Sequence, residues 1–173
     1  TTLFRSGTLE EVGVKTLPEK VFAGGMDLVI RRRLDRIPAW ARSLLQVAAV
    51  AGRQLDLKVL QRIDAGMNLE TWLTACGEVA VLDVQDDHWR FAHDKLRDGV
   101  LAELPEVRRK QLHGQVAWAI ELVYPDDASQ AATLTYHWRA LGDDQKVASY
   151  ARMAGQQAMR AGANRAAKVF FQQ

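Results

Sequence analysis

At 173 residues and 19.4 kDa the chain has room for one medium domain or two small ones. Its 48% hydrophobic and 25% charged residues are average for a soluble globular protein, and 23 basic against 21 acidic residues leave a net charge of only +2. A single cysteine, Cys76, excludes an internal disulfide framework, and no run approaches the roughly 20 apolar residues of a membrane helix, so a cytoplasmic setting without membrane partners is expected.

The opening Thr1-Thr2-Leu3-Phe4-Arg5-Ser6 resembles the translation of a sequencing adaptor, the alternative being a disordered N-terminus, and residues 1–7 are set aside from fold reasoning. Residues 1–25 read as a linker, with a short helix at most before Gly24-Gly25. Asp27 then caps a helix expected to run through Arg36. Pro38 opens the next at its first position, and Leu44, Leu45, Val47, Ala48, Ala49 and Val50 make it apolar on most sides, hence buried, before Gly52 ends it. Asp56 caps a short helix bearing Leu57, Val59, Leu60 and Ile63. Asn68 caps another, with Leu69, Trp72 and Leu73, closing near Gly77.

The period then changes. Val79 to Val84 reads as a strand, Gln85-Asp86-Asp87 as a turn, and Trp89-Arg90-Phe91 as a returning strand. Three helices followed by a hairpin is the order of a winged helix, so residues 26–103 are expected to be a winged-helix domain with a two-stranded wing. His93 to Leu104 forms its last helix. From 104 to 173 the pattern is helical only: Pro105 starts a helix carrying Leu112, Val116, Ile120 and Val123, and Pro125-Asp126-Asp127 breaks it. Ala131, Leu134, Trp138 and Leu141 mark the next helix. After Gly142-Asp143-Asp144 comes one with Val147, Tyr150, Ala151, Ala154 and Ala158 inward. Gly162 and Asn164 start a last helix, and the end at Phe170-Phe171-Gln172-Gln173 reads as unfinished, as expected of a fragment of a longer protein. Gly155, Ala167 and Phe171 fall on the small and aromatic positions of a tetratricopeptide repeat, so this segment is expected to begin a set of antiparallel helical hairpins. The overall class is mainly α.

Chemistry of its own is hard to find in the chain. There is no G-x-x-x-x-G-K-[ST] loop and no nucleophile elbow, and Cys76 on an apolar helix face reads as a buried thiol. His88, His93, His113 and His137 have no metal-ligand spacing, and the paired carboxylates sit in loops where turns and caps explain them. No catalytic residue, no metal site and no resident cofactor are expected.

Two segments carry a family likeness. Arg33-Leu34-Asp35-Arg36-Ile37-Pro38, continuing through Ala41-Arg42 to Gly52-Arg53, resembles the stretch after the ATPase core of bacterial STAND-type regulatory ATPases. Phe91-Ala92-His93-Asp94-Lys95-Leu96-Arg97-Asp98, with Leu104-Pro105 and Leu112-His113 beyond, resembles that family's junction between winged helix and helical repeats. The resemblance implies a non-catalytic regulatory segment whose partners are an upstream P-loop domain binding ATP or ADP and a protein or small inducer on the repeats. Related nucleotide switches carry a Met-His-Asp signature whose histidine reaches the β-phosphate of ADP. Ala92-His93-Asp94 stands at that place, with alanine for methionine, which makes His93 the candidate ADP-phosphate sensor and Asp94 its orienting neighbour. The local alternative is that His93 satisfies backbone groups and Asp94 steadies the first turn.

Two further functions stay open: a stand-alone helical interaction module and a winged-helix DNA-binding regulator. For DNA the charge is misplaced. Eight basic residues between Arg31 and Arg62 face only Asp35 and Asp56, yet the third helix of the bundle holds Glu70 and no base, and the wing turn is Asp86-Asp87.

Overall fold

The computed structural model describes residues 19–160. The adaptor-like start, the linker before residue 19 and the final helix, with Ala167 and Phe171, lie outside them. Helix α1 (Glu19–Asp35) runs straight through Gly24-Gly25, so the expected linker is helical over its last residues and Asp27 lies mid-helix instead of capping it. Two glycines lower helix propensity by about 1 kcal/mol each, a local penalty that the rest of a long helix can offset. Ile30 and Leu34 bury its inner face.

Helix α2 (Ala39–Ala51) follows with Pro38 as its cap, and Ala41, Leu44, Leu45 and Val47 to Val50 are all buried, as their run predicts. Its Arg42 reaches back to the carbonyls of Asp35 and Ile37 at 3.2 Å each, answering acceptors that the end of α1 leaves open. Helix α3 (Leu57–Ile63) is capped by Asp56, whose Oδ1 accepts from Lys58 and Val59 N–H, and α4 (Leu69–Glu78) by Asn68, which accepts from Thr71 N–H. Trp72 is wholly buried and donates its indole N–H to Ala41 O at 3.0 Å, which ties α4 to α2.

The hairpin is shorter than its apolar run suggests. Strands β1 (Leu82–Gln85) and β2 (His88–Phe91) pair antiparallel, Leu82 opposite Phe91, around Asp86-Asp87. Both aspartates have positive φ, 51° and 60°, as a type I′ turn requires. Val79 and Ala80 are taken up in closing α4: Ala80 sits at φ 53°, with Ala80 N–H on Gly77 O and Val81 N–H on Cys76 O. A third extended segment went unread in the sequence. Between α2 and α3, Leu55 donates to Trp89 O at 2.8 Å and Arg53 O accepts from Phe91 N–H at 3.1 Å, with Gln54 bridged to Arg90.

Beyond the hairpin, α5 (Asp94–Ala102) crosses α1 and α2, and α6 (Glu106–Val123) lies on α2 and α3. Gly99 of α5 admits α1 closely, since a Cβ there would stand 2.9 Å from Leu34 Cδ1. After the 3₁₀ turn Ala128–Gln130, α7 (Ala131–Leu141) packs on α6, and the turn at Gly142-Asp143 folds α8 (Asp144–Arg160) back along α7. One apolar cluster runs unbroken from Ile30 to Val147, across the position where the sequence suggested two units. Among the described residues the fold is mainly helical, with eight helices and a small two-stranded antiparallel sheet.

Candidate functional site

His93 stands where β2 hands over to α5. Its backbone is extended, and its Nδ1 accepts from Lys95 N–H at 3.1 Å, so the imidazole itself caps the helix. A neutral ring with Nδ1 accepting carries its proton on Nε2, and this side chain is exposed; an N–H donor therefore faces outward at a helix N-terminus. Asp94 does not orient it. The carboxylate instead holds Arg53 at 3.2 and 3.3 Å, joining the start of α5 to the extended segment after α2. The two residues are neighbours in the chain with separate contacts, and together they leave an imidazole N–H exposed at a helix N-terminus.

The exposed side of α4 shows Glu70, Thr71, Thr74 and Glu78, and the hairpin tip shows Asp86 and Asp87. Cations gather elsewhere. Arg31, Arg32 and Arg36 are exposed on and just after α1, while Arg42 and Arg53 are engaged as described. Cys76 is fully buried, and burial pushes its thiol up to about 12. Tyr124 donates to Asp56 Oδ2 at 2.7 Å, a bond that holds the phenol up at about 12 and closes one side of a cavity of about 640 Å³ beneath α3 and α6. Among the described residues no three His, Cys, Asp or Glu side chains converge as metal ligands, and no helix is long and apolar enough to cross a membrane.

Comparison with protein-family models, curated proteins and solved structures gives no match.

Two polar clusters on α6 were not foreseen. Glu121, largely buried, accepts from Trp138 Nε1 at 3.0 Å, Tyr150 O–H at 2.8 Å and Lys146 Nζ at 3.0 Å, which binds α6, α7 and α8 together. The Lys146 ammonium also lies 5.0 and 5.2 Å from the ring centroids of Trp118 and Trp138. Nearer the start of α6, His113 and His137 meet Nδ1 to Nδ1 at 2.8 Å, both buried, with the Tyr136 ring edge-on to each. Burial, then the charges of Arg109 and Arg97, lowers the basicity of His113; burial, then His113 and Arg97, takes His137 down to about 3. Both rings are therefore neutral at pH 7. Sequence spacing could not reveal either cluster, because their members are brought together only by the packing of successive helices.

Proposed function

We propose that this chain is a non-catalytic regulatory segment of a larger STAND-type ATPase, a winged helix followed by the first helices of a tetratricopeptide-like array. The observation that carries this reading is the order α2, Arg53–Leu55, α3, α4, β1, β2. Helix, short strand, two helices and a hairpin is the chain order of a winged helix, and the extended segment after α2 takes the place of its first strand. An exposed histidine then follows the hairpin directly, its Nε2–H turned outward. In this reading a cytoplasmic P-loop domain packs against the segment and supplies the ATP or ADP. His93 donates to a phosphate oxygen of ADP, and the Arg53–Asp94 pair fixes the start of α5. The segment itself contributes no catalytic group. The helices from α6 onward carry a protein or small-molecule inducer and move as nucleotide is exchanged. The acidic hairpin tip and the uncharged-to-acidic face of α4 argue against DNA as the partner.

The test uses the full-length gene product. His93→Ala and His93→Asn are both expected to release labelled ADP faster. Only the alanine loses the helix cap, worth about 1 kcal/mol, because asparagine is itself a good cap. ADP release unchanged in both variants overturns the reading. A stand-alone interaction module is the second reading, favoured by Trp118 and Leu122, exposed at 55% and 57% one turn apart on α6. A complete gene with no P-loop upstream of α1 would decide for it.

A further inference from the structure

Between α5, α6 and α7 lies a cavity of about 300 Å³ whose lining includes Arg97, Arg109, Lys110, Glu106, His113 and Tyr136. Three cations thus face one carboxylate, and that carboxylate is already held by Lys110 at 3.0 Å. Arg97 is anchored through its Nε on Ala49 O at 2.7 Å, which leaves the rest of its guanidinium for the cavity. Neither arginine forms a salt bridge among the described residues, and the nearby Glu106 carboxylate feels the charge of Arg109 without bonding to it.

One wall of the cavity is His113, backed by His137, to which it is bonded. Two neutral imidazoles joined Nδ1 to Nδ1 share one proton, and there are two ways to place it. With the proton on His113, that ring turns a bare Nε2 lone pair toward the cavity, and His137 buries an N–H. With the proton on His137, His113 presents Nε2–H to the cavity, and His137 buries a lone pair. His137 Nε2 has no partner in either case. An anion beside Arg97 and Arg109 selects the second arrangement, because only there does His113 donate. It also answers the two guanidinium charges that now face the imidazoles from α5 and α6. We propose that this cavity binds a small ligand through an oxyanion group, a phosphate or a carboxylate, held by Arg97, Arg109 and Lys110 and by the Nε2–H of His113. A volume of about 300 Å³ is at the lower end of small-molecule sites and admits more than a bare ion.

The test titrates the 173-residue chain with inorganic phosphate and, separately, with succinate, following imidazole ¹⁵N resonances. Saturable movement of His113 Nε2 toward the protonated form, with His137 Nδ1 following, is expected with at least one anion. Phosphate alone identifies a phosphate ligand, succinate alone a carboxylate, and both identify the shared oxyanion. Arg109→Ala, which breaks no salt bridge within the fold, weakens the response by about tenfold, as loss of one charge-assisted contact should. Arg32→Ala on α1 makes the same charge change and leaves it unaltered. No saturable shift with either anion, or equal weakening by the two variants, overturns the proposal.

Discussion

Glu121 and His113 lie roughly two turns apart on α6, and each is the centre of a buried polar cluster. Around Glu121 every group is answered: one carboxylate takes an indole N–H, a phenol and an ammonium, and the ammonium rests among aromatic rings. Burial and the bond to Glu121 push the Tyr150 phenol above its ordinary range, so it stays a donor at any physiological pH. Around His113 the account does not close. The two imidazoles share one proton between their Nδ1 atoms, His137 Nε2 has no partner, and Arg97, Arg109 and Lys110 approach with only Glu106 to answer them. Buried polar groups are costly unless satisfied. The closed cluster therefore reads as a lock between helices, and the open one as a place where something else belongs.

Breaking the lock should give the largest effect. Glu121→Ala orphans three donors at once and is expected to cost about 3 kcal/mol in urea unfolding; a loss under about 1 kcal/mol would mean that Glu121 does not lock the helices together. Acid should act on the other cluster. Both histidines are less basic folded than unfolded, so the unfolded chain binds more protons as the pH falls below their ordinary value of 6.5. Stability is fully present above that value and is lost as the pH falls from 6.5 toward about 3. His137→Leu should flatten that part of the urea-midpoint profile, and an unchanged slope would assign the acid sensitivity to other groups. The smallest effect is expected from Lys146→Met, which keeps the stem and removes the charge. It should cost about 1 kcal/mol, because Glu121 retains its indole and phenol donors.

What could be read in the sequence follows the range of the interactions. Asp56, Asn68 and Gly52 mark helix ends through bonds to backbone two to four residues away, and their elements stand where expected. The Asp86-Asp87 turn is local in the same sense. The start of α1 was misplaced because two glycines were given the weight of a stop. Arg53–Leu55 was missed because three residues are too few to show alternation, and their partner β2 lies far along the chain. His93 is singled out in the sequence only by its resemblance to a signature, and its bond to Lys95 N–H and the turn of Asp94 toward Arg53 depend on backbone geometry. His113 and His137 are invisible to any spacing rule. Only the seating of α7 on α6 makes them meet.

Helix α6 has one more consequence, a mechanical one. Its 18 residues make a rod of about 27 Å, seated against α2 and α3 on one flank and carrying α7 on another. The rod is held at both ends: α2 lies against it, and Tyr124 just past its last turn is bonded to Asp56 at the start of α3, so a displacement of α2 and α3 would carry α6 with it as a body. The charges of Glu106, Arg109 and Lys110 sit at its first turns and the Glu121 lock near its last. α7 and α8 are tied to the same rod through Glu121 and would follow any such displacement with no helix unfolding.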